Sequence, residues 1–156
     1  MVPALRAFAR TLTRDAAEAD DLVQDTLVKA LGHLDQFTPG TNLRAWLFTI
    51  ERNTFYTAYR RKRRETPLPV EEMATAFSYP KQEWTLKMKA ANAALQLLPD
   101  DQKEALVLVS GAGFSYEDAA AVCGCALGTI KSRVSRARLR MLSLLEVESH
   151  EEFLTD

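Results

Sequence analysis

Phe114-Ser115-Tyr116-Glu117-Asp118-Ala119-Ala120-Ala121-Val122-Cys123-Gly124-Cys125-Ala126-Leu127-Gly128-Thr129-Ile130-Lys131-Ser132-Arg133-Val134-Ser135-Arg136-Ala137-Arg138 reads as two helices about a tight turn. Ser115 followed three residues later by Asp118 resembles a capping box, which opens a short helix. Cys123-Gly124-Cys125 makes the turn. A second helix then runs from Ala126 or Leu127 to about Leu142, with Leu127, Ile130, Val134, Ala137 and Met141 on its buried side. A short helix, a glycine-containing turn and an amphipathic basic helix describe a helix-turn-helix. Opposite the apolar stripe, positions 129, 132, 133, 136 and 140 share a surface, so Thr129, Ser132, Arg133 and Arg136 point outward with Lys131 on the flank. Arg and Lys can bond guanine acceptors in the major groove, while Ser and Thr reach phosphates or base edges. Small Gly128 lets the helix N-terminus approach a phosphate, which its free N–H groups favour. A charge run alone is usually a solvated face; the capped helix and turn before it tip the reading to DNA.

Upstream of this unit, helical spacing runs through Leu86, Ala90, Ala93, Ala94, Leu97 and Leu98, stops at Pro99, and restarts after Asp100 or Asp101 as far as Ser110. Gly111 and Gly113 end that helix. Between positions 65 and 82 the periodicity vanishes among Pro67, Pro69, Pro80 and scattered acids, as in a flexible linker. Before the linker lies a second helical lobe. Residues 4–13 form a short leading helix, and residues 15–34 carry Ala19, Leu22, Val23, Leu27, Ala30, Leu31 and Leu34 as one apolar stripe on an acidic helix. Phe37-Thr38-Pro39-Gly40 breaks the chain, Thr41 or Asn42 caps the next helix, and that helix buries Leu43, Trp46, Leu47 and Ile50. No βαβ alternation or repeat occurs. The expected fold is all-α: two small helical domains joined by a flexible linker, with boundaries at 1–64, 65–84, 85–145 and an acidic tail at 146–156.

The 156 residues are 47% hydrophobic and 26% charged, which excludes collagen-like and wholly disordered chains. No apolar run approaches the ~18 residues of a membrane span, and no basic-then-apolar leader opens the chain, so a cytoplasmic location and no membrane are expected. The formal net charge of -1 argues by itself against a nucleic-acid binder. Segregation of the charge reverses that argument. Arg52 with Arg60, Arg61, Lys62, Arg63 and Arg64, and Lys131 with Arg133, Arg136, Arg138 and Arg140, form two stretches without an acid. Asp15, Glu18, Asp20, Asp21, Asp25 and Asp35 face only Lys29. Such a chain can meet a polyanion on one side and a basic partner on another.

The first basic stretch differs in kind, because Trp46, Phe48, Phe55, Tyr56 and Tyr59 interleave with Asn53 and the Arg60 to Arg64 run. Aromatics stack on exposed bases and cations follow the strand, a composition suited to single-stranded or melting DNA. Trp46 is also read as largely core from its spacing with Leu43, Leu47 and Ile50. Catalysis finds little support: His33 and His150 lie far apart, and Cys123 with Cys125 lacks partner ligands at metal spacing. No metal and no cofactor are expected, and the cysteines are read as small turn fillers.

Four ordered segments resemble the extracytoplasmic-function sigma factors of the sigma-70 family. They are Asp20-Asp21-Leu22-Val23-Gln24-Asp25-Thr26-Leu27, the run from Leu43 to Thr54, Leu98-Pro99-Asp100-Asp101-Gln102, and the run from Gly128 to Arg138. The wording of residues 115–125 is further similar to the general-stress, EcfG-type subgroup. The resemblance implies that Asp20, Asp21, Gln24 and Asp25 dock on the clamp helices of the largest subunit of core RNA polymerase, with the flap as a further contact. It implies that Trp46, Asn53, Arg60, Arg61, Lys62, Arg63 and Arg64 act at the minus-ten element. Thr129, Lys131, Ser132, Arg133, Ser135 and Arg136 would act at the minus-thirty-five element. Promoter DNA and a NepR-like anti-sigma factor are the other implied partners, and no catalytic chemistry is assigned. Two alternatives share the helical pattern: a sigma-like mimic that titrates an anti-sigma factor, and a helix-turn-helix regulator independent of polymerase. The attached receiver domain of such mimics is not expected after Asp156.

Overall fold

A computed structural model describes residues 1–13, 15–65 and 86–154, with side chains through 146. Helices alone occur among them, as the sequence pattern implies: α1 (Val2–Thr13), α2 (Ala16–Gly32), α3 (Leu43–Glu65), α4 (Leu86–Gln96), α5 (Asp100–Leu106), α6 (Tyr116–Cys123) and α7 (Leu127–Leu154). A 3-10 turn, Leu34–Gln36, follows α2, and a π turn, Val107–Gly111, extends α5. Almost all of the expected linker, 66–84, lies outside the described residues. Two compact units result, one centred on α1 to α3 and the other on α4 to α7.

In the first unit, Asp15 starts α2 by accepting the Ala17 N–H at 3.1 Å, and Asn42 starts α3 by accepting the Ala45 N–H at 3.1 Å. Gly40, at φ 90°, makes the reversal between them. The core joins Leu5, Phe8 and Ala9 of α1, Ala19, Leu22, Val23 and Ala30 of α2, and Leu47 and Phe48 of α3. Phe8 stacks on Phe48 with centroids 5.1 Å apart and planes 24° apart.

This core corrects three expectations. On α3 the buried face is Leu47, Phe48, Glu51 and Thr54, whereas Leu43 is exposed and Trp46 and Ile50 are half-buried. Phe48, read above among the base-stacking aromatics, is therefore a core residue. The polar Glu51 and Thr54 interrupt the apolar signal of that face, so hydrophobic spacing alone points to a neighbouring one. On α2, Thr26 is fully buried, donating its hydroxyl to the Leu22 carbonyl at 2.7 Å, and Leu31 and Leu34 of the expected stripe face outward.

In the second unit Ile130, Val134 and Ala137 of α7 are wholly buried, with Leu98, Ala105, Leu108, Phe114 and Ala119 also in the core. Met141 is half-buried, and Leu127, at the helix start, is exposed. Lys103 and Glu104 of α5 are buried as well, Lys103 with its Nζ 3.6 Å from Asp100. Leu86, Ala93 and Leu97, expected on the apolar face of α4, are exposed. The last helix continues to Leu154, well past the expected end near Leu142, because no glycine or proline stops it and its residues are mostly good helix formers.

Glu51 is fully buried, and neither of its carboxyl oxygens meets a hydrogen-bond partner among the described residues. Burial raises its pKa from 4.5 to about 8. Folding therefore favours the protonated acid, so the contribution of Glu51 to stability is fully present below the unfolded value, is lost as pH climbs from about 4.5 to about 8, and levels off above. Glu51→Leu is expected to flatten this descent and to raise stability at neutral pH by about 1–3 kcal/mol, as an unsatisfied buried polar group is removed. Urea unfolding across the pH range, followed by circular dichroism, measures both effects.

Candidate nucleic-acid and partner interfaces

The helix-turn-helix is built by local bonds. Ser115 caps α6, its Oγ accepting the Asp118 N–H at 3.1 Å. The Phe114 N–H donates to the Leu108 carbonyl at 3.0 Å as the chain passes Gly113 at φ 75°. After α6, Gly124 takes φ 65°, a conformation costly for residues with a Cβ, and the Cys125 N–H closes the turn on the Ala120 carbonyl at 3.1 Å. Burial of Ile130, Val134 and Ala137 then sets which side of α7 faces outward.

On that side Lys131, Ser132, Ser135, Arg136 and Arg140 are exposed, and Thr129 is half-buried. The Lys131 ammonium lies 6.0 Å over the Tyr116 ring, which ties its stem to α6 while the cation remains at the surface. Arg133, expected to point outward, turns instead toward α5: its Nε lies 3.6 Å from Asp101 Oδ2 and its Nη1 3.9 Å from Cys125 Sγ. Arg138 also bends back, with Nη2 3.3 Å from Ser110 Oγ. Nothing in the spacing of basic residues along α7 distinguishes these two; the acid and hydroxyl that hold them lie far away in sequence.

In the first unit, the outer side of α3 exposes Asn53, Arg60, Arg61, Arg63 and Arg64. Beside Asn53, Phe55 packs edge-on to Tyr56 at 5.2 Å and stacks with Tyr59 at 5.9 Å, and the Arg52 guanidinium covers Tyr56 at 4.7 Å. Trp46 tilts against Phe37 at 5.2 Å and keeps part of its surface open. Lys62 lies 3.5 Å from Glu18 on α2, so part of its charge is neutralised within the unit. The surface combines half-exposed rings, an exposed amide and a dense cationic end.

A different surface lies on α2. Asp21, Gln24 and Asp25 are exposed there, as expected, and so are Val28, at 69%, Leu31, at 71%, and Leu34. Asp20 is half-exposed and paired with Arg6 at 3.1 Å, which ties α2 to α1. The sequence reading placed Leu31 and Leu34 in the buried stripe and passed over Val28, because apolar residues occur on both sides of α2. The buried Ala19, Leu22, Val23, Thr26 and Ala30 mark the other side of the helix as core.

Two helical units, one with an aromatic and basic helix and the other with a basic helix-turn-helix, define a class of promoter-reading transcription factor. Residues 1–65 match the family model of sigma-70 region 2, and residues 89–141 that of sigma-70 region 4. The chain is 55% identical over 156 residues to the ECF RNA polymerase sigma factor EcfG of Rhodopseudomonas palustris, covering 99% of this chain and 86% of that one. Among solved structures it is similar to the sigma factor RpoE in complex with the anti-sigma factor NepR from Bartonella quintana. That likeness has a TM-score of 0.80 and 51% identity, and covers 94% of this chain and 92% of that one. It is also similar to CnrH in complex with the cytosolic domain of CnrY, with a TM-score of 0.66 and 31% identity over 93% of this chain and 82% of that one. The chain belongs to the sigma-70 family of RNA polymerase sigma factors and is an extracytoplasmic-function sigma factor. As such it is a transcription initiation factor, and no helix among its described residues is long and apolar enough to cross a membrane.

The cap at Ser115 gives a direct check on the helix-turn-helix. Ser115→Ala should cost about 1 kcal/mol and speed hydrogen exchange in the first turn of α6, leaving α1 to α3 unaltered.

Proposed function

We propose that this protein works in the cytoplasm as the promoter-recognition subunit of RNA polymerase for a general stress response, with the tasks divided between its two units. In this reading residues 1–64 hold both the polymerase-docking surface and the minus-ten reader, and residues 85–145 hold the minus-thirty-five reader. Asp21, Gln24 and Asp25, with Val28 and Leu31 beside them, dock on the polymerase clamp helices, where carboxylates meet a basic helix and the apolar side chains lose water. Asp20 contributes by holding α2 on α1.

At the minus-ten element, Asn53 reads an extruded base, because its amide offers both a donor and an acceptor. Trp46 and the α3 aromatics supply stacking surfaces, and Arg60, Arg61, Lys62, Arg63 and Arg64 follow the phosphates. Strand separation is then favoured by preferential binding of the open form, with no chemical step on the protein. At the minus-thirty-five element Lys131, Ser132 and Arg136 approach base edges, Thr129 and Ser135 flank them, and the start of α7 faces the backbone.

Inhibition by a NepR-like anti-sigma factor is the regulatory part of the proposal. It is supported by the 51% identity, over nearly the whole chain, to an RpoE solved with NepR. The observation that carries the whole reading is the register of α3, which exposes Asn53 and the arginines on the outer side while Phe48 is buried.

Run-off transcription with core RNA polymerase on a promoter of the family type tests the assignment. Wild-type protein should initiate specifically, and Asn53→Ala and Arg136→Ala should each lower initiation by roughly tenfold or more, the scale of a lost bidentate base contact at ~1–3 kcal/mol. Well-folded wild type that fails to initiate, yet binds NepR tightly, would establish the titrating mimic instead.

A further inference from the structure

The five basic residues between Lys131 and Arg140 divide into two groups. Lys131, Arg136 and Arg140 are exposed, whereas Arg133 is half-buried and drawn back on Asp101, and Arg138, though exposed, bonds Ser110. Arg133 is the more firmly held of the pair. Its side chain is 27% exposed, and it meets two separate segments, Asp101 at the start of α5 and Cys125 in the turn. Asp101 is itself oriented, since its Oδ1 accepts the Gln102 N–H at 2.9 Å and its Oδ2 is left toward the guanidinium. A planar guanidinium with donors on several edges can hold two partners in fixed directions, which a lysine ammonium does not do.

We propose that Arg133 is a positioning residue, locking the recognition helix to α5 and the turn, and that Asp101 withholds its charge from the DNA backbone. The inference rests on the reading of α7 as the recognition helix given under Proposed function. Arg133 lies one residue from Ser132 and three from Arg136, so a guanidinium released from Asp101 has phosphates within the same footprint. A phosphate contact made there would strengthen binding to every sequence alike. Holding the charge on Asp101 places it instead in the geometry of Lys131, Ser132 and Arg136, the side chains that face base edges. Discrimination between promoter and bulk DNA then rises without any new base contact, because the non-specific term is kept small.

The test uses the full chain and a fluorescent duplex of random sequence, about 30 base pairs long, titrated over a range of salt. Asp101→Asn is expected to bind it about threefold to tenfold more tightly at low salt, and to steepen the dependence of log Kd on log salt by about 1, the signature of one added phosphate contact. Adding Arg133→Ala to Asp101→Asn should cancel both changes. Asp100→Asn removes the same formal charge one residue away and should leave the slope unaltered. An unmoved slope in Asp101→Asn, an equal steepening in Asp100→Asn, or a gain that survives in the double variant would each overturn the proposal. Arg136→Ala, titrated also on a duplex carrying a minus-thirty-five element of the family type, separates this outcome from a failure of the underlying reading. A lost preference for that duplex over the random one, beside an unmoved slope in Asp101→Asn, overturns the present inference alone. A preference that Arg136→Ala leaves intact removes the DNA-reading assignment of α7 and the inference with it.

Discussion

Phe8 stacked on Phe48 fixes the rotation of α3 about its own axis, and most of what the first unit can do follows from that angle. A helix buries one face, so choosing Leu47 and Phe48 for the core assigns every other side chain on α3 a direction. Asn53 and the arginines from position 60 onward lie outside as a result, and Phe55, Tyr56 and Tyr59 occupy the half-buried border. A rotation of one position would bury Trp46, Ile50 and Asn53 and turn Phe48 out of the core. Substantial buried area on Phe48 and Phe8 stands against that, while the solvated amide has no force holding it to either orientation.

The second unit obeys the same constraint with different residues. Ile130, Val134 and Ala137 have no exposed surface, and the turn at Gly124 leads the chain from α6 into α7. Polar interactions then act on what packing has already arranged. Arg133 and Arg138 reach acceptors on neighbouring segments because α5 is packed beneath α7, and Lys131 rests over Tyr116 at the start of α6. The charge along α7 is thus divided by the fold: Arg133 is paired with Asp101, and Lys131, Arg136, Arg138 and Arg140 keep theirs at the surface. An isolated exposed pair of this kind adds little stability, so its value lies in direction.

Glu51 shows the opposite case, a polar group carried into the core by the apolar residues one turn before it. Leu47 and Phe48 commit the face, and the helical step carries Glu51 into the same core, where burial keeps its carboxyl protonated at neutral pH. Thr54, one turn further, resolves its burial by donating to the Ile50 carbonyl at 2.7 Å and accepting from Lys29 at 3.3 Å. A helical face therefore tolerates polar members when the rest of its area is large.

Much of the architecture was legible in one dimension. Helix stops at Pro39-Gly40, Pro99 and Gly113, the cap at Ser115, the turn at Gly124 and the stripe Ile130, Val134, Ala137 are signals of short range, and short-range physics settles them in the chain itself. The sigma-factor motifs were legible for the same reason, being contiguous runs. Tertiary structure alone decided which face of α3 is core, why Leu31 and Leu34 stand in solvent, and which arginines of α7 are held by partners. Those outcomes depend on segments distant in sequence competing for the same contacts: Phe8 for Phe48, Arg6 for Asp20, and Asp101 for Arg133. Periodicity records that a helix has an apolar side, but where two sides are nearly equal, only the helix packed against it determines which one is buried.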